Sequence, residues 1–124
     1  MKKISLFVGI LAVIAIFIFV ITSEKDGITK IDVKTLQNKL EKEEITLLDV
    51  REVSEYNGGH IEGSVNAPLS SLAAEQLPYP KNEPIYVICR SGNRSAQAAS
   101  QLQSAGYSEI YDVSGGMMAW EASE

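Results

Sequence analysis

The sequence predicts an α/β domain built on a mainly parallel sheet, and three observations carry that expectation. From residue 28 onward, short apolar runs alternate with stretches of helical periodicity. The two strongest runs, residues 45–50 and 85–88, read as strands buried on both faces. The 102 residues after position 22 suffice for one compact core and not for two.

The elements follow in chain order. Residues 28–31 form a short strand. Asp32 is placed to cap a helix whose inner face carries Val33, Leu36 and Leu40. That helix ends in Glu41-Lys42-Glu43-Glu44, a solvated charge run. The strand at 45–50 comes next, then a helical turn at 54–56 closed by Gly58-Gly59. A short strand at 64–67 stops at Pro68, and a short helix is expected over 69–77. Pro78-Tyr79-Pro80 breaks the chain before the strand at 85–88. Small and apolar residues at helical spacing (Ala96, Ala99, Leu102) predict a helix over 93–105, with Gly106 just past its end. A strand at 109–113 and a helix at 116–121 complete the pattern.

Residues 1–22 stand apart. Lys2 and Lys3 precede an apolar run from 4 to 21, interrupted only by Ser5 and Gly9. Wound as a helix, those residues span about 27 Å at 1.5 Å per residue, close to the roughly 30 Å of bilayer hydrocarbon. The expectation is a single-pass transmembrane anchor at 1–22, a polar linker at 23–27 and the α/β domain at 28–124. A cleaved signal peptide is the alternative, but the run is long for one, and Val20 and Ile21 spoil a small-x-small cleavage site. With the lysines held on the cytoplasmic side, the domain lies extracytoplasmic, membrane-tethered if uncleaved and secreted or periplasmic if cleaved.

Charge narrows the function. The chain carries −5, and removing Lys2 and Lys3 leaves 9 basic against 16 acidic residues, a net −7. Such a domain has no electrostatic footprint for nucleic acid and no attraction to anionic lipid beyond its anchor. One Cys and one His cannot supply a usual metal-ligand set, so neither a metal nor another cofactor is expected. Cys89 is the only cysteine, which excludes an internal disulfide and leaves a free thiol to explain.

Cys89 stands at the carboxyl end of the most apolar strand, where sites on parallel sheets lie, and opens Cys89-Arg90-Ser91-Gly92-Asn93-Arg94-Ser95. This stretch leads from a strand into a helix start, where orphan N–H groups and the helix dipole favour an anion. Arg90 and Arg94 add two full charges, and Gly92 permits the backbone angles at which successive N–H groups converge. The thiolate is the form such a loop favours, and the thiolate is the nucleophile. A buried, inert cysteine is the bland reading; two arginines and a glycine within five residues argue against it.

Four motifs together resemble the rhodanese homology domain across nearly all of residues 28–122. They are Asp49-Val50-Arg51-Glu52; Gly59-His60-Ile61-Glu62-Gly63-Ser64-Val65-Asn66-Ala67-Pro68; the cysteine loop; and Gly115-Gly116-Met117-Met118-Ala119-Trp120. The resemblance implies a central, mainly parallel five-stranded sheet flanked by helices, and an active-site cysteine that accepts sulfane sulfur. The four residues between Cys89 and Arg94 resemble the sulfurtransferase form of the loop. Related phosphatases and arsenate reductases have five, a cradle for a tetrahedral oxyanion.

The chemistry implied is a persulfide exchange. Cys89 takes the outer sulfur of a small anionic donor such as thiosulfate, loop N–H groups of residues 90–95 stabilise the terminal sulfur, and cyanide, a thiol or a protein cysteine removes it. Arg90 and Arg94 favour the anionic donor, with Arg94 alternatively a structural brace that holds the loop from behind. Arg51 either binds the donor's sulfonate or forms a structural ion pair with Glu55. Asp49 is expected to brace the loop by accepting hydrogen bonds, and His60 to fix a turn rather than pair with Cys89. Trp120, Met117 and Met118 read as core or pocket wall. A non-turnover persulfide carrier or redox-sensing module is the alternative to an enzyme.

Overall fold

The structure is a computed structural model, and it describes residues 27–124. The expected anchor at 1–22 and nearly all of the expected linker lie outside the described residues. Among the described residues no helix is long and apolar enough to cross a membrane.

Strand β1 (Ile28–Ile31) leads into helix α1 (Val33–Lys42), strand β2 (Thr46–Asp49), helix α2 (Val53–Asn57) and the two-residue strand β3 (Val65–Asn66). Two 3₁₀ turns (Leu69–Ser71 and Ala74–Gln76) precede strand β4 (Ile85–Ile88). Helix α3 (Asn93–Ser104), strand β5 (Ile110–Val113) and helix α4 (Gly116–Ala122) follow. The five strands form one sheet in the order β1-β5-β4-β2-β3, and every pairing is parallel.

Period-two alternation divides the core between the two faces of this sheet. Ile85, Val87 and Cys89 point to the face covered by α3, where Leu48, Val50, Ala98, Ala99 and Leu102 join them. Tyr86 and Ile88 point the other way, toward Leu36 of α1 and Met117 of α4. Residues 85–89 are all buried, the consequence of helices on both sides. The same alternation turns the Cys89 side chain toward α3.

Local chemistry sets the helix ends. Asp32 accepts from the Thr35 N–H at 2.8 Å and the Thr35 hydroxyl at 2.7 Å, the expected cap of α1. At the end of α3 the Gly106 N–H bonds the Gln103 carbonyl and the Tyr107 N–H the Leu102 carbonyl. Gly106 has φ +102°, so this is a Schellman stop that needs its glycine.

Two expected elements differ. The strand expected at 64–67 contracts to Val65–Asn66, because the Ser64 N–H and hydroxyl both bond the Ile61 carbonyl and close a turn instead. The helix expected over 69–77 is two 3₁₀ turns separated by non-helical backbone at Leu72 and Ala73. Leu72, Ala74 and Leu77 all pack toward the α3-side core. Their two- and three-residue spacing does not fit one helical face, so the chain breaks to bury all three.

Candidate active site

The site forms where β4 stops. Cys89 is 1% exposed, and its Sγ accepts the Gly92 N–H at 3.0 Å. The Ser95 hydroxyl lies 3.4 Å from Sγ and itself donates to the Gly92 carbonyl at 3.1 Å. Gly92 caps α3 with φ +110°, a conformation that favours glycine and turns its N–H back onto the sulfur. Ser91 and Asn93 are exposed on the loop surface, and Ser95 is buried beneath it.

The second glycine motif holds this loop from outside. The Met117 and Met118 N–H groups, among the unpaired donors at the start of α4, bond the carbonyls of Cys89 at 2.7 Å and Arg90 at 3.0 Å. Those two carbonyls are therefore occupied by α4. A Cβ at Gly116 would come within 2.3 Å of the Cys89 carbonyl oxygen, and Gly116 also has φ +54°. No other residue type allows α4 to approach so closely.

The three arginines differ in their surroundings. Arg51 is 5% exposed. Its Nε donates to both oxygens of Asp49 at 2.9 and 3.0 Å, and its Nη2 to Asp49 Oδ2 at 2.7 Å and the Gly59 carbonyl at 2.8 Å. Its ion-pair partner is thus Asp49 and not the Glu55 carboxylate; Glu55 supplies only a backbone carbonyl, to Nη1 at 3.3 Å. Asp49 in turn accepts from Arg51, side chain and N–H alike, and not from the cysteine loop. Both groups are buried at the end of β2, where an unpaired charge would be costly. The Asp49 carboxylate holds the Arg51 guanidinium above its ordinary pKa.

Arg94, near the start of α3, forms a planar fork with Glu55: Nη1 to Oε1 at 2.6 Å and Nη2 to Oε2 at 2.9 Å. The hydrogen bonds from Arg94 hold the Glu55 carboxyl at about 2, against an ordinary 4.5. Arg90 is exposed, and among the described residues it has no carboxylate partner. It lines a polar cleft of about 280 Å³ with Arg51, Glu55, Gly59, Met118 and Glu121. A larger hollow of about 470 Å³ lies between the second 3₁₀ turn and α3, and no cysteine or arginine lines it.

His60 is exposed, and its Nδ1–H donates to the Tyr56 carbonyl at 2.9 Å. Its ring stacks on Tyr56 with centroids 3.8 Å apart, while the Tyr56 hydroxyl donates to the Ser64 carbonyl at 2.6 Å. These contacts hold the turn from 56 to 64. Met117 is buried and Trp120 packs against the α1-side core, whereas Met118 is exposed at the cleft. Among the described residues no group of His, Cys, Asp and Glu is placed to hold a metal ion. Sequence reasoning did not find the Glu55–Arg94 fork or the Tyr56 stack. No spacing rule links residues 39 apart, and a Tyr four before a His signals nothing outside a regular helix.

The model of the rhodanese-like domain matches residues 32–123. A thiosulfate sulfurtransferase, GlpE of Pseudoalteromonas translucida, is 35% identical over 83 residues, covering 67% of this chain and 79% of its own. YrkF of Bacillus subtilis, provisionally named a sulfur carrier protein, is 35% identical over 95 residues, covering 76% of this chain and 51% of its own. The chain spans about half the length of YrkF and of slr1261 from Synechocystis. Among solved structures, a rhodanese-like domain protein from Staphylococcus aureus superposes with a TM-score of 0.69 at 32% identity. That match covers 74% of this chain and 90% of the other.

Proposed function

From the premise that this chain belongs to the rhodanese-like family, we propose that it transfers sulfane sulfur from thiosulfate, or a similar anionic donor, to a thiophilic acceptor through a Cys89 persulfide. The observation that carries the reading is the Gly92 N–H on Cys89 Sγ, in a loop whose first two carbonyls are tied to α4. With those oxygens taken up elsewhere, the loop meets an incoming anion with N–H groups and the Arg90 guanidinium.

The step balances without a further reactant. Cys89 thiolate attacks the outer sulfur of thiosulfate, an S–S bond forms, and the bond from outer sulfur to sulfonate breaks. Sulfite leaves with that electron pair, and the negative charge rests on the terminal sulfur of the persulfide. Cyanide then attacks that sulfur, thiocyanate leaves, and the thiolate is regenerated; a thiol acceptor leaves instead as its own persulfide. In this reading Ser91, Gly92, Asn93, Arg94 and Ser95 shape the cradle with Arg90. Arg51 and Asp49 support it from β2, and His60 holds the adjoining turn.

The test is direct. Incubation with thiosulfate should release sulfite and add the mass of one sulfur atom to Cys89, and cyanide should then yield thiocyanate over many cycles. Cys89→Ser should abolish both while leaving the domain folded, since no other residue can hold a persulfide. Substantial turnover by that variant would sink the assignment. The likeness to YrkF favours a second reading, a carrier that loads sulfur once and passes it to a particular protein. Loading without multiple turnover on cyanide or small thiols would select it.

The proposal extends to location. The apolar run at 4–21 with its two leading lysines supports a single-pass membrane anchor and an extracytoplasmic domain. Full-length protein should then fractionate with membranes, and protease added to spheroplasts should cleave it beyond Ser23. Soluble protein with a new N-terminus near Ser23 would establish a cleaved signal peptide instead.

A further inference from the structure

Glu55 is held from two sides. On its own helix the Glu52 N–H donates to Oε1 at 3.1 Å, and across the site Arg94 closes its fork on both carboxylate oxygens. A two-point planar contact fixes the position and the rotation of a guanidinium together. Arg94 is the second residue of the helix that follows the cysteine loop, five positions beyond Cys89. Unpaired, it would present a second full positive charge to an entering donor. Paired, the two charges nearly cancel beyond a few ångströms. Asp49 cancels Arg51 in the same manner, which leaves Arg90 as the loop arginine without a carboxylate among the described residues. Glu55 also lines the cleft that Arg90 lines, where Glu121 is the other carboxylate.

We infer that Glu55 is a positioning residue for donor choice: it keeps the Glu55–Arg94 unit neutral and leaves Arg90 alone to hold the anionic group. The inference rests on the thiosulfate reading above. It places part of the donor preference on α2, an element outside the cysteine loop.

Glu55→Gln keeps the side-chain length and one acceptor for Arg94 but removes the charge. The measurement is kcat/KM for thiosulfate and for an alkyl persulfide, which carries at most one negative charge against two, with cyanide as acceptor and across a salt series. The thiosulfate-to-persulfide ratio should rise roughly three- to tenfold, mainly through KM, and should fall more steeply with salt. Arg94→Gln should move the ratio the other way, because it leaves a bare carboxylate facing a dianion. The double variant, neutral like the parent pair, should return the ratio to within about twofold of the parent. A pair that merely braces the loop would lower kcat for both donors alike and leave the ratio and salt slope unmoved, and that result overturns the inference. A parent protein with no thiosulfate activity overturns the proposed function itself and this inference with it. An active parent whose ratio ignores the charge of the pair overturns the inference alone.

Discussion

Arg90 and Arg94 sit four residues apart, yet only Arg90 lines the cleft and only Arg94 is paired with a carboxylate. The sequence places both beside the thiol and cannot tell them apart, because the partner of Arg94 lies 39 positions upstream. A charge-assisted hydrogen bond contributes about 1.5–3 kcal/mol, and about 1.4 kcal/mol is tenfold in rate. Arg90→Ala should therefore lower kcat/KM for thiosulfate by roughly ten- to a hundredfold with the melting temperature unchanged. Arg90→Lys should recover part of the loss, since the charge returns without the fork. Steady-state kinetics on both variants check this, and an Arg90→Ala protein with parental kcat/KM would remove the arginine from donor binding. Cys89, Gly92 and Ser95 were legible because strand end, glycine and helix start are adjacent in sequence. The Asp49–Arg51 pair was half legible: both residues stood out, but their direct contact two positions apart was assigned to other partners.

At the scale of elements, the strands and the longer helices were legible from periodicity, whereas the path between Gly58 and Pro80 was not. There turns, caps and short 3₁₀ segments are set by individual side chains such as Ser64 and Leu72 rather than by a repeating pattern. The docking of α4 on the cysteine loop was likewise hidden. Gly115-Gly116 marks a turn in sequence, but only the packed fold shows why the second glycine has no substitute. Gly116→Ala would drive a methyl into the Cys89 and Arg90 carbonyls at a position whose φ is also +54°. Strain of this kind costs about 1–3 kcal/mol, and a domain of this size loses roughly 4–8 °C of melting temperature per kcal/mol. Activity should fall further than stability, because relief of the clash pulls α4 off the two carbonyls and frees the loop to turn. Thermal unfolding and sulfite release measured on the same preparation test this. A variant that keeps parental activity despite a lowered melting temperature would show that α4 supports the fold and not the loop.

For the whole molecule, two electrostatic effects oppose each other as pH falls. The region beyond residue 22 is at −7, so protonating its exposed carboxylates at first relieves self-repulsion. Glu55 works in the other direction. Its folded pKa is about 2 against an ordinary 4.5, so the folded state takes up its proton later than the unfolded chain does. A depressed carboxylate of this kind contributes stability that is present above about 4.5 and is lost as the pH falls through about 2. Asp32, held low by its Thr35 hydrogen bonds, has the same sign but is fully exposed. The Glu55–Arg94 pair is itself 29% exposed on each side, so solvent screens its contribution to a fraction of what a buried pair would give. Glu55→Gln removes the titrating group without altering the other carboxylates, and the comparison with the parent therefore isolates its share. The parent should be the more stable protein at neutral pH, with a gap that stays flat down to about 4.5 and narrows steadily toward 2. Thermal melts of both proteins across that range decide the matter. A gap that stays constant to the acid end would mean that folding leaves the proton affinity of Glu55 unchanged, and that the Arg94 fork does not hold it as a carboxylate.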